Sequence, residues 1–332
     1  MAQTNRVRKL VFLGDVMLGR LVSEEIGKRP PEYFWGDTLP LLRGADAVFI
    51  NLECAITRHP EPWQRTDKVF HFKAVPEAIA VLTAARISFT CLANNHVLDF
   101  ETEGLLETLS LLEAANIPYA GAGRTRADAE RPAFVDAGDL RIAFFGATDN
   151  EPDFAATGNS PGTKYVDPRS DELIWPSSDD IKETRSRRAD LVVASLHLGP
   201  NMVLEPSRRL RTYKRRLCEA GVDIVHGHSA HVFQGVERMG KSLILHDTGD
   251  FLDDYAVDPD LRNDWSFVFV IEVGQAGLQR LTLHPVVLDF ATVSLAVGAD
   301  ASMICDRMEE LSRPFGTRFR RNNGTLELDL QA

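Results

Sequence analysis

The sequence predicts an α/β fold in which two β-sheets pack as a sandwich flanked by helices. Short apolar, β-rich runs alternate with helical patterns through most of the 332 residues, which favours mixed layers over segregated domains. After residue 225 this alternation gives way to strands joined by Gly-containing turns, the mark of antiparallel pairs. There is no internal repeat, low-complexity tract or Gly/Ser linker, so one domain over 1–332 is expected, with 299–332 as a C-terminal helix and tail.

Taken in order, residues 7–13, 47–51, 87–92, 141–146, 191–196 and 222–225 read as buried strands. Between them, 76–86, 101–116, 168–188 and 206–220 read as helices, several opened by Pro or by an acidic first turn. Segments 232–237, 242–246, 266–273 and 278–287 read as antiparallel strands, and 301–313 as the last helix.

Composition excludes several classes. Lys plus Arg number 37 against 48 Asp plus Glu, a formal charge of -11, with 44% hydrophobic and 26% charged residues. These are globular values, and the acidic balance argues against a general nucleic-acid binder. The N-terminal apolar run, Leu10 to Leu13, is broken by Gly14 and Asp15, too short for a secretion signal or a membrane span. Four cysteines, Cys54, Cys91, Cys218 and Cys305, are scattered without a CxxC pair; buried free thiols and a cytoplasmic location are expected.

In an α/β sheet, ligands bind beyond the carboxyl ends of the strands. Polar residues recur there strand after strand: Asp15 after VFLG, Asn51 and Glu53 after AVFI, and Asn94, Asn95 and His96 after FTCLA. His197 follows VVASL, His228 and His231 follow DIVHG, and Asp247 and Asp250 follow LILH. Asp, Glu, Asn and His are metal-ligand types, and no Cys joins them. A hard or borderline divalent cation such as Mg, Mn, Ca or Fe therefore suits the set better than a structural zinc.

The segments GDVMLGR (14–20), NLECAIT (51–57), LANNHVLDF (92–100), GAGRTRADAERPA (121–133), SLHLGPNM (195–202), GVDIVHGHSAHVFQGVE (221–237) and LHDTGDFLDDY (245–255) resemble the CapA-type proteins of poly-γ-glutamate capsule synthesis. These are a branch of the calcineurin-like metallophosphoesterase superfamily. The resemblance runs over about residues 8–290 and implies a β-sandwich flanked by helices with a metal site at the strand ends. By motif it implies Asp15, Glu53, Asn95, His197 and His228 as metal ligands, His96 as an acid or base, and Asp99 as its orienting partner. Departures are specific: Asp-x-His reads Asp15-Val-Met17, Glu53 replaces an Asp, GHHPH reads GHSAH, and SLGNF reads DTGDF with Asp250 in place of an amide. One divalent cation, Ca, Mn or Mg before Zn, is therefore expected with flanking acid/base groups, and no organic cofactor.

With those departures, and without a membrane anchor, the chain resembles the peptide epimerases of lasso-peptide gene clusters. The implied reaction inverts the Cα of the C-terminal residue of a ribosomal precursor peptide, the expected partner, with neither membrane nor nucleic acid involved. Such chemistry needs two acid/base groups and a device to stabilise an enolate-like species. His96 with Asp99 is one candidate pair, and His228 or His231 with Asp250 the second. Asn201, Met202 and Trp265 are placed to line a substrate groove. Alternatives are phosphoester hydrolysis and a non-catalytic role in capsule biosynthesis. His226 is expected to be a core histidine, and the basic stretch Ser207 to Arg216 a solvated helix face.

Overall fold

Alternation within the first strand sets the layers. In Arg8–Val16, Leu10 and Phe12 point to one face and Val11 and Leu13 to the other, and all four are fully buried. A strand buried on both faces belongs at the centre of a layered protein. The computed structural model describes residues 7–169 and 174–331.

Arg8–Val16 lies in a ten-stranded sheet, parallel to Ala47–Leu52, which continues in parallel to Ile87–Cys91 and Tyr119–Ala120. On its other side it meets Trp265–Gly274, which pairs antiparallel with the long Gly277–Asp289. A six-stranded sheet holds Leu140–Thr148, Leu191–His197, Ile224–His228 and Ser242–Leu245 as parallel neighbours, with Ala133–Ala137 and Val236–Met239 antiparallel at its edges.

The inner faces of the sheets meet through aromatic rings. Phe89 and Phe144 stack with centroids 4.0 Å apart, and Phe49 lies 4.6 Å from Phe144 and 4.9 Å from Phe12. Outside the larger sheet, Val81, Leu82, Leu105 and Leu109 from Ala78–Ala84 and Glu101–Ala114 cover Val11 and Leu13. Outside the smaller sheet, Ile181, Leu210 and Leu217 from Ser178–Ser186 and Arg208–Ala220 cover Val192, Ala194 and Leu196. The sandwich with helices on both faces is as expected from the sequence.

Several local readings need correction. Ser242–Leu245 is parallel to Ile224–His228, and Asp250–Leu252 is a short strand parallel to Arg8–Val16, so the region after 225 is not wholly antiparallel. The helix expected over 168–188 is confined to Ser178–Ser186 among the described residues; 170–173 lie outside them. The last helix, Gly298–Ser312, does not close the chain: Arg320–Asn322 and Thr325–Asp329 follow and extend the larger sheet. Leu326 and Leu328 are buried between less buried neighbours in TLELD, a period-2 pattern too short to announce a strand. The basic helix is not wholly solvated either, because Lys214 is buried with its Nζ donating to the His246 carbonyl. The thiols follow expectation: all four are free, three of them buried.

Candidate metal and acid/base site

Parallel strands of both sheets end on one rim, and the backbone approaches closely there. A Cβ on Gly14 would fall 2.0 Å from the Gly249 carbonyl oxygen, so only glycine lets the first strand touch the 247–250 turn. Gly249 itself has φ +68°, the left-handed region. This contact, sealed by Asp15 N–H donating to the Gly249 carbonyl at 2.8 Å, sets Asp250 beside Asp15 in register. On the facing sheet, His197 and His228 are register partners.

Two groups of ligand atoms share Asp15. Asp15, His197 and His228 form one, and Asp15, Glu53, His231 and Asp250 the other, the atoms in each lying within 4.8 Å of one another. Asp15 Oδ1 accepts from Asn51 Nδ2 at 2.8 Å, Asn51 Oδ1 accepts from Asn94 Nδ2 at 3.0 Å, and Asp15 Oδ2 accepts from the Ser229 N–H at 3.3 Å. His197 Nδ1 lies 3.0 Å from His228 Nδ1, so one of those nitrogens carries no proton. The donor set fits a divalent cation. Glu53 is fully buried, yet neither of its oxygens has a hydrogen-bond partner among the described residues, and Asp250 Oδ2 and Asn95 Oδ1 are unpaired in the same way. Orphaned buried carboxylate oxygens are costly unless a cation completes them. Met17, where the resemblance implies a histidine, is buried with its sulfur accepting the Gly19 N–H at 3.0 Å.

Two imidazole–carboxylate pairs adjoin this cluster. His96 Nδ1 lies 2.5 Å from Asp99 Oδ2, and His231 Nδ1 lies 2.8 Å from Asp250 Oδ1. Their electrostatics differ. Burial, helped by the nearby Lys68 ammonium, pushes His96 well below the ordinary imidazole range, and burial lifts Asp99 to about 8. The His96–Asp99 pair is thus held neutral overall. Burial also works against a charged His231, but Asp250, Glu53 and Asp15 outweigh it and hold that ring protonated. Burial raises Asp15 to about 7 and Glu53 and Asp250 well above the carboxylate range. Before a cation binds, His96 is the ring favoured neutral and His231 the ring favoured charged.

His231 is thus placed both as a partner of Asp250 and within 3.9 Å of Glu53 Oε1 and 3.8 Å of Asp15 Oδ2. It sits at φ +58°, unusual for a residue with a side chain, in a turn braced by the Ala230 N–H donating to Asp247 Oδ2 at 3.0 Å. In the sequence His231 and Asp250 count among the strand-end residues of ligand type and are assigned acid/base roles; in the structure both stand among the ligand atoms as well.

Several neighbours carry no sequence signal. Phe72 stacks on His96 at 3.8 Å between centroids, and Tyr255 bridges the pairs, 5.8 Å from Phe72 and 5.4 Å from His231, its buried hydroxyl without a partner among the described residues. Lys68 donates to the Asn95 carbonyl at 2.7 Å and lies 3.4 Å from Asp99 Oδ1. Among the residues expected to line a groove, Asn201 is exposed, and the Met202 N–H donates to the Ala230 carbonyl at 2.8 Å, tying that loop to the 228–231 turn. Trp265 is 5% exposed, packed between the guanidinium groups of Arg262 and Arg307 at 4.1 and 4.6 Å. His226 lies between the sheets with Nε2 2.9 Å from the Leu13 carbonyl. His246 pairs with Glu237 at 3.0 Å and stacks on Phe315, apart from the cluster.

The fold and rim define a β-sandwich whose strand ends gather a donor set that fits a cation, with imidazole pairs at its side. Residues 9–255 match the family described as bacterial capsule synthesis protein PGA_cap, and the chain belongs to that family. It is 27% identical to the PGA biosynthesis protein CapA of Bacillus subtilis (strain 168) over 321 residues, covering 96% of this chain and 81% of that protein. It is 30% identical to a probable polyglutamine synthesis accessory protein of Mycobacterium tuberculosis over 300 residues, covering 86% of this chain and 77% of the other. The capsule biosynthesis protein CapA of Bacillus anthracis is 28% identical over 252 residues, and the chain spans 61% of its length. Among solved structures, the protein TT1561 of Thermus thermophilus is similar at a TM-score of 0.43 and 12% identity, covering 81% of this chain and 99% of that one. Purple acid phosphatase PPD1 from yellow lupin seeds is similar at 0.38 and 9%, covering 85% and 52%. Among the described residues no helix is long and apolar enough to cross a membrane.

Proposed function

We propose that this protein is a metal-dependent peptide epimerase that inverts the Cα of the C-terminal residue of a ribosomal (lasso-type) precursor peptide. The observation that carries the reading is the joint presence, along one aromatic wall, of a neutral His96–Asp99 pair and a protonated His231–Asp250 pair. Inversion requires such a difference in protonation, one group to take a proton and one to give it.

Asp15, Glu53, His197 and His228, with Asn95 beside them, would hold the divalent cation. When bound it polarises a substrate carbonyl or carboxylate and favours charge on its oxygen. His96, oriented through Nδ1 by Asp99, accepts the Cα proton at Nε2, and the electrons of the broken C–H bond move onto the substrate oxygen. His231, oriented by Asp250, delivers its Nε2 proton to the other face of Cα. The substrate gains and loses one proton and is otherwise unchanged; the proton taken by His96 passes to solvent and His231 is reprotonated from solvent, which resets both rings for the next turnover. Phe72 and Tyr255 keep water from the reacting carbon.

A second reading, an accessory role in capsule or poly-γ-glutamate biosynthesis, is supported by the names of the relatives. One experiment separates the readings. Incubated with Mn and precursor peptide in D2O, the wild type is expected to place deuterium on the terminal Cα and His96→Ala to place none. Exchange that survives His96→Ala would remove His96 from the reaction. Turnover of an aryl phosphate without Cα exchange would replace epimerisation by phosphoester hydrolysis, and neither activity would favour the accessory role.

A further inference from the structure

We propose that Arg20 anchors a substrate carboxylate at this site, so that the site selects a free carboxylate over an amide. The assignment deepens the function proposed above and rests on it for which carboxylate is held. The rim is crowded with acids: Asp15, Glu53, Asp99, Asp250 and Asp253 are buried there, and the Asp254 side chain beside them is wholly buried. A fixed cation outside the ligand cluster would favour entry of an anionic end group among them.

Besides the nearby imidazoles, two Lys or Arg side chains, Lys68 and Arg20, act to keep the His96 ring neutral. Lys68 is engaged already: its side chain is 6% exposed and its Nζ reaches the Asn95 carbonyl, Glu151 and Asp99 at 2.7, 3.2 and 3.4 Å. Arg20 is engaged on one side only. Its side chain is 38% exposed, its Nε lies 3.4 Å from Asp254 Oδ2, and among the described residues its two terminal nitrogens have no partner. Its Cζ lies 5.6 Å from the centre of the Phe72 ring, the same ring that stacks on His96. The terminal fork of this guanidinium thus stands at the rim beside the acid/base pair, and such a fork matches a carboxylate through two parallel N–H···O bonds.

The backbone agrees with a selected position. Arg20 has φ +51°, a left-handed conformation that costs about 1–3 kcal/mol for a residue with a Cβ. Asp254 holds it there, accepting the Leu21 N–H at 3.0 Å while steering the guanidinium.

The carboxylate could be the C-terminus of a peptide or the α-carboxylate of a γ-linked glutamate chain, and the test separates the two. Fluorescein-labelled probes, a short peptide ending in alanine as free acid and as amide, and a γ-linked glutamate oligomer, are titrated against wild type, Arg20→Met and Arg20→Lys. Wild type is expected to bind the free acid at least about tenfold more tightly than the amide, a difference suited to one bidentate charged pair. Arg20→Met should bind both weakly and alike, Arg20→Lys should regain part of the preference, and all three should melt alike. Arg20-dependent binding of the glutamate oligomer in place of the peptide would keep Arg20 as the anchor and count against the peptide reading. Loss of Cα exchange with Arg20-dependent binding intact would overturn epimerisation alone. Equal wild-type affinity for acid and amide, no saturable binding of any probe, or a preference that survives in Arg20→Met would overturn the proposal.

Discussion

Glu53→Gln separates the cation's contribution from that of the fold. Both Glu53 oxygens are buried without hydrogen-bond partners among the described residues, and burial raises the carboxyl well above its ordinary range. Glutamine is close to isosteric with the carboxyl, and metal-free stability should change by no more than about 1 kcal/mol. The cation-bound state is different. At about 100 times the dissociation constant a ligand stabilises the native state by about 2.7 kcal/mol. With about 2.1 cal/mol/K of unfolding entropy per residue over 332 residues, that is a rise of about 4 °C in melting temperature. Losing a carboxylate ligand should weaken binding by at least about 100-fold, cutting the stabilisation to about 0.4 kcal/mol and the rise to under about 1 °C. Thermal melts with and without Mn measure both quantities. An undiminished Mn-induced rise in the variant would refute Glu53 as a ligand, and a loss of several kcal/mol in the metal-free variant would mean the carboxylate has a partner in the fold.

Three further outcomes are expected. Gly14→Ala sets a Cβ 2.0 Å from the Gly249 carbonyl oxygen, so it should shift the 247–250 turn, cost about 2–4 kcal/mol in denaturant unfolding and weaken Mn binding. Asp15, raised to about 7 from 3.8, holds a proton that stabilises the metal-free fold fully below about pH 4 and is lost as a stabilising factor as pH rises through about 7. Since a cation must displace that proton, Mn affinity measured by calorimetry should climb as pH rises through about 7 and then level off; a flat profile would contradict this. Lys68→Met strips Asp99 and the Asn95 carbonyl of their buried cation, and unfolding should show a loss of about 2–4 kcal/mol with reduced exchange activity.

Much of the site was legible because strand ends have a sequence signature. Asp15, Glu53, His96, His197, His228 and Asp250 each follow an apolar run within a few residues, and parallel pairing brings such positions to one rim whatever the connecting helices do. The His96–Asp99 spacing of three also survived folding as a direct contact. The acid/base wall was not legible. Phe72 and Lys68 lie in a polar connection without periodicity, and only packing of that connection over the Asn94–Asp99 turn brings them to His96. The dual position of His231 depends on a left-handed backbone that GHSAH does not announce. Lys214 looked like one more solvated cation; its burial depends on Gly227, where a Cβ would fall 2.8 Å from its Nζ.

The central claim, two-sided proton transfer at a peptide Cα, is tested most directly by chiral analysis and mass spectrometry of the terminal residue after incubation in D2O with Mn. Wild type should yield inverted residue carrying one deuterium at Cα, with none when His96 or His231 is replaced by alanine. Inversion without deuterium uptake, or inverted product at the wild-type rate from either variant, would contradict the account.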